Sequence, residues 1–224
     1  AFGDATEYVS LPGGDYDVAV TPNGGEAGEA VIEATLTLEN GKAYTVAAVG
    51  EVAAIEPLVL EDNLAAPADG KAHVRVIHAS PDAPAVDVAV TDGPVLIEAL
   101  AFKADSGYLP VDATTYDLEV RPAGTEDVAI EIAGFNAEAG TVYTVMAIGM
   151  AGDGSLTVLP LVDATHASST GGGSETAPSM PATGGGGTAA GVMTATILAL
   201  VTLGALVASG VLYVYSNRQI NGVR

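Results

Sequence analysis

The chain has 224 residues, carries 28 Asp and Glu against 7 Lys and Arg for a net charge of −21, and contains neither Cys nor Trp. Such a charge repels nucleic acid and anionic lipid surfaces, and the lack of Cys excludes disulfides, Cys-based zinc sites and thiol nucleophiles. The acidic residues are interleaved with Val, Ile and Ala rather than blocked, which reads as folded domains with a solvated acidic face and not as an acidic tail; solubility is the plain reason for that face, a divalent-cation site the sharper one.

The first stretch, residues 1–62, is built from short runs separated by turn signals at Pro12-Gly13-Gly14, Asn23-Gly24-Gly25 and Asn40-Gly41. Period-two alternation between such signals predicts half-buried strands. Residues 63–71 read as a linker. Further on, Val86, Val88 and Val90 alternate with Asp87 and Ala89, Tyr116, Leu118 and Val120 with Asp117 and Glu119, and Val128, Ile130 and Ile132 with Ala129 and Glu131. About seven strands in about 90 residues predict an all-β chain of tandem antiparallel β-sandwiches, immunoglobulin-like, with a transthyretin-like arrangement as the alternative.

The two stretches are copies of one unit. Ala1-Phe2 matches Ala101-Phe102, Tyr8 matches Tyr108, and Asp15-Tyr16-Asp17-Val18 falls opposite Thr115-Tyr116-Asp117-Leu118. After one gap, Gly41-Lys42-Ala43-Tyr44-Thr45-Val46 meets Gly140-Thr141-Val142-Tyr143-Thr144-Val145, and Gly50 meets Gly149. The second copy, 72–164, opens with a part for which the first copy has no counterpart. The first copy is therefore expected to be truncated, with its absent strands and a signal peptide upstream of Ala1; the alternative is an incomplete sandwich completed by another chain or by its neighbour.

The second copy begins His73-Val74-Arg75-Val76-Ile77-His78-Ala79-Ser80-Pro81-Asp82-Ala83-Pro84-Ala85-Val86-Asp87-Val88. Two prolines fix φ and exclude helix, while Ser80 and Asp82 are placed to bond nearby backbone amides, so the segment predicts a tight corner between strands. His78, Asp82 and Asp87 are the candidate ligand or metal residues, since imidazole and carboxylate are ligand types; the alternative is a strand-end histidine satisfied by the turn and a turn-bracing or solvated Asp87. His73 and Arg75 alternate outward and read as a solvated face. This stretch resembles the signature of the DUF 4397 (domain of unknown function) family, a "VRVxHASPDAPAVDV" segment often found in tandem copies. The resemblance covers most of residues 1–162 and implies a β-sandwich module of exported prokaryotic surface proteins, with no catalytic residue.

No nucleophile elbow, phosphate loop, His-Glu-x-x-His or EF-hand loop occurs, and with no Trp and three Phe there is no aromatic platform for a glycosidase. The expectation is a protein that is not an enzyme and holds no cofactor, save for the cation noted above.

Residues 165–188 are nearly all Ser, Thr, Gly, Ala and Pro and predict a flexible stalk. Within it, Met180-Pro181-Ala182-Thr183-Gly184 precedes an apolar run and a basic tail. That order resembles the cell-wall sorting signal of sortase substrates, Leu-Pro-any-Thr-Gly, and implies a sortase as partner and cleavage between Thr183 and Gly184. Met180 stands where Leu is usual, and the tail holds only Arg218 and Arg224. No charged residue occurs from 176 to 217. Residues 189–215 are long and apolar enough to span about 30 Å of hydrocarbon as one transmembrane α-helix, with Tyr213 and Tyr215 at an interfacial belt and 216–224 as a cytoplasmic tail. Gly204 and Ala208 form a small-residue pair on that helix. The expected protein is a cell-surface one, its sandwiches outside, displayed for adhesion or for ligand or matrix binding; the alternative is a structural spacer.

Overall fold

The computed structural model describes residues 2–21 and 30–167, together with the backbone of Thr194–Val201 and Val211–Ser216. The chain is all-β. Six strands come from the first copy: β1 (Asp4–Ala5), β2 (Val9–Pro12), β3 (Gly14–Thr21), β4 (Ile32–Leu38), β5 (Ala43–Val49) and β6 (Glu56–Asp62). Eight come from the second: β7 (Lys71–His78), β8 (Val86–Val90), β9 (Val95–Leu100), β10 (Leu109–Asp112), β11 (Thr115–Pro122), β12 (Ile130–Asn136), β13 (Thr141–Ile148) and β14 (Thr157–Thr165). The last two, β15 (Thr194–Val201) and β16 (Val211–Ser216), lie in the C-terminal apolar run.

The second copy is a sandwich of two four-stranded sheets, ordered β10-β7-β13-β14 and β12-β11-β8-β9. Its interior is apolar: Val76, Val86, Val88, Leu100, Val120 and Val145 are buried together, with Ile130, Ile132 and Phe135 packed against them. The alternation read from the sequence holds for Val86 and Val88, which face this core, but Asp87 and Ala89 between them are buried as well, so β8 is covered on both faces. Val128 departs from the alternation, for β12 starts only at Ile130 and Val128 stays exposed. The expectation of antiparallel sheets fails at one pair in this copy and at its counterpart in the first. β7 and β13 run parallel, Arg75 opposite Thr144, because the chain leaves β7 for the opposite sheet before it returns through β13.

The first copy repeats the plan with borrowed strands. β15 pairs parallel with β5 and antiparallel with β2, as β7 pairs with β13 and β10. β16 pairs antiparallel with β3, as β8 pairs with β11. The transmembrane helix expected over 189–215 is corrected here: its described parts are strands, and no helix among the described residues is long and apolar enough to cross a membrane. The physical reason is that without β15 and β16 the edges of β5 and β3 would be left with unpaired N–H and C=O groups. An apolar run dominated by Ala, Leu and Val satisfies such an edge, and without periodicity it fits a buried strand as well as a helix. Residues 168–193, with Met180 to Gly184, and Gly204, Ala208, Arg218 and Arg224 lie outside the described residues.

The two sandwiches share a face. β5 and β13 are buried along their whole length, because each has its own sandwich on one side and the other unit on the other. Ala47 and Val49 of β5 meet Ile77, Ala79, Met146 and Ile148, flanked by Leu58, Leu60, Phe102, Leu159 and Leu161. Each large aliphatic side chain so covered contributes about 1.5–3 kcal/mol. Strands buried on both faces read as continuous apolar runs, and Ala43–Val49 and Thr141–Ile148 are written that way.

Candidate functional site

His78, Asp82 and Asp87 are each used by the chain itself. His78 is fully buried at the end of β7; its Nε2 lies 2.9 Å from the Pro84 carbonyl oxygen, its Nδ1 accepts the Ser80 N–H at 3.3 Å, and Phe102 meets the ring edge-on. Asp82 accepts the N–H groups of Ala151 and Gly152 at 2.7 and 2.8 Å, and the Ser80 hydroxyl at 3.4 Å. Burial pushes its carboxyl up, but those donors outweigh burial and hold it below the usual range. Asp87 accepts the N–H groups of Ala99 and Gly124 at 2.7 and 2.9 Å, which hold its carboxyl down. The corner and the strand that follows it thus tie down the 151–152 loop, the turn at Gly124 and the end of β9. Among the described residues no group of three His, Asp or Glu stands ready to hold a metal ion.

The buried polar chemistry lies elsewhere, on the face shared by the two units. Arg75, read from alternation as solvated, is 1% exposed. Alternation does point it out of its own sandwich, but that side of β7 is covered by the other copy. Its Nη2 donates to Asp62 Oδ1 at 2.6 Å and to the hydroxyls of Thr144 and Thr45 at 2.8 and 3.2 Å, and its Nε donates to Thr144 at 3.1 Å. The guanidinium lies 4.5 Å from the Tyr108 ring centre. Thr45 donates to Asp62 at 2.9 Å, and Tyr8 donates to the same carboxylate at 2.8 Å. On the other side Thr144 and Tyr108 donate to Asp163 Oδ2 at 2.6 and 2.8 Å.

The network is a pseudo-symmetric pair. Tyr8, Thr45 and Asp62 on the first unit correspond to Tyr108, Thr144 and Asp163 on the second. Burial pushes the Asp163 carboxyl up to about 6, against the hydrogen bonds from Thr144 and Tyr108 and the attraction of Arg75. Burial and the nearby Asp163 charge raise both Tyr8 and Tyr108, so the phenols stay protonated as donors. The sequence carried a signal for this cluster, since Tyr8 and Tyr108, and Thr45 and Thr144, are matched positions of the repeat. Nothing in a single copy says that the matched polar residues face each other.

A second feature is a cavity of about 270 Å3 between the sheets of the second sandwich. Val76, Val88, Ile97, Leu109, Leu118 and Phe135 are among its lining residues, and it opens beside the half-buried and exposed residues of β9 and β10. Its wall is overwhelmingly apolar, so it fits an aliphatic or aromatic group; the one titratable residue among its lining is Tyr116, whose hydroxyl donates to the Asp112 carbonyl oxygen at 3.0 Å.

The family described as Domain of unknown function (DUF4397) matches residues 1–89 and 72–174 of the chain, the two stretches sharing 72–89. No curated protein matches it.

Proposed function

Since this chain belongs to the DUF4397 family, we propose that it is a non-enzymatic cell-surface protein whose sandwiches bind a ligand or matrix component, the second sandwich taking an apolar group into the cavity between its sheets. The observation that carries this reading is the cavity itself, about 270 Å3 and lined by Val76, Leu118 and Phe135 among others. The conspicuous polar residues support it from the other side, because His78, Asp82 and Asp87 are tied to the backbone and Arg75 to Asp62. A neutral apolar dye tests it, because the net charge of −21 repels anionic probes. Nile red should bind saturably with a blue-shifted emission, and Leu118→Phe, which fills the cavity, should weaken binding about tenfold. Dye binding that is absent, or indifferent to Leu118→Phe, contradicts it.

The alternative is a spacer with no ligand of its own, and the buried Arg75–Asp62 bridge favours it by making one stiff body of two units. The dye experiment separates the two readings, since a spacer takes up no dye at this cavity. In both, the protein is held at the envelope through its C-terminal region, supported by the uncharged stretch from 176 to 217 and the order of residues 180–184. Attachment proceeds by sortase cleavage after Thr183, and mass spectrometry of wall digests should find a peptide ending at Thr183. An intact C-terminus, or recovery in the cytoplasm, contradicts it.

A further inference from the structure

The two halves of the shared polar network are not equally served. Asp62 receives a guanidinium and two hydroxyls, whereas Asp163 receives hydroxyls on one oxygen only. Among the described residues its Oδ1 has no hydrogen-bond partner, in a residue that is 7% exposed. The asymmetry traces to one position. Arg75 stands on β7 at the place paired with Thr144. The corresponding place on β15, paired with Thr45, is Leu198.

We propose that the edge of β5 is a strand-accepting site whose cognate guest is an extended apolar segment of the Val74-Arg75-Val76 type, with arginine at the position paired with Thr45 and its guanidinium meeting Asp163. Three observations carry this. The edge takes a guest strand remote in sequence, since β15 fills it over six consecutive residue pairs. Main-chain bonds of that kind accept any extended segment, so selectivity rests on alternate side chains. The one polar atom left unanswered at that register is a carboxylate oxygen, and a buried carboxylate asks for a cation that brings several donors at once, as arginine does. The second unit already solves the same problem with Arg75, which reaches across to Asp62 from the equivalent register. An apolar guest leaves Asp163 to hold a proton instead, in keeping with its carboxyl being pushed up to about 6.

The test offers a labelled peptide with the sequence of residues 71–90 to the full chain, beside the same peptide carrying Arg75→Leu. The arginine peptide should bind at least about tenfold more tightly, and Asp163→Asn in the chain should remove that preference. Because β15 already holds the edge, a second reading avoids displacement. Leu198→Arg in the full chain should raise the melting temperature by about 3 °C or more, a gain absent when Asp163→Asn is added. Equal binding of the two peptides, no binding by either, or a Leu198→Arg chain that melts no higher than its parent overturns the proposal.

Discussion

Arg75 of the second repeat and Asp62 of the first meet at 2.6 Å with their side chains 1% and 0% exposed, so a charge pair belonging to neither sandwich alone closes the face between them. Such a pair is costly to desolvate, and its worth lies in what happens when one partner is removed. Around it the repeat has placed matched tyrosines and threonines as donors. The molecule is therefore two copies of a unit whose outer face, polar in isolation, becomes an interior only when the copies stack.

Asp163 gives this interior a pH signature. Desolvation raises its carboxyl to about 6, so the folded chain holds that proton more tightly than the unfolded chain. Its contribution favours folding at pH below the ordinary carboxylate value and is lost as pH rises through about 6. Asp163→Asn keeps the shape and removes the titration. Stability curves for parent and variant should diverge between about pH 4 and about pH 6, the parent losing up to about 3 kcal/mol relative to the variant. Denaturant midpoints across that range check it, and parallel curves contradict it.

Asp87 behaves oppositely. The Ala99 and Gly124 amides hold its carboxyl below the usual range, so its contribution is present above the unfolded value and is lost as pH falls through the lowered one. Asp87→Ala should free both amides, and hydrogen exchange at Ala99 and Gly124 should accelerate while the β13 amides stay protected. Unchanged exchange at those two positions would show that the carboxylate braces nothing.

The matched glycines at the ends of β5 and β13 carry a backbone constraint. Gly149 has φ +93°, and a Cβ there would lie 2.3 Å from the Ser155 carbonyl oxygen; at Gly50, with φ +109°, the gap to the Ala54 carbonyl oxygen would be 2.8 Å. Gly149→Ala should cost about 2–4 kcal/mol. Gly154→Ala, with φ +74° and open space around it, should cost about 1 kcal/mol. Equal losses in the two variants, by urea denaturation, would remove the steric part of this account.

Much of the fold was legible because strands obey period two and the repeat is nearly in register. Alternation places Val86, Val88 and Val120 inward, where they lie in the core, and the repeat matches Gly50 with Gly149, both of which end a buried strand. The corner segment was read as structural or ligand-bearing, and its His78, Asp82 and Asp87 bond the backbone. Alternation failed at Arg75, since it says which face a residue takes and not what covers that face. It also failed at 194–201 and 211–216, where an apolar run without period does not distinguish a spanning helix from strands that satisfy an open sheet edge.

The stacking of the two repeats on a shared charge pair is tested most directly by a double-mutant cycle on Arg75 and Asp62, with unfolding followed in urea. Arg75→Leu and Asp62→Leu alone should each cost about 3–5 kcal/mol, because each leaves a buried charge without its partner. The double variant should cost little more than either alone, a coupling of about 2 kcal/mol or more. Single losses under about 1 kcal/mol that simply add, as expected for an exposed pair, would contradict a buried bridge between the repeats.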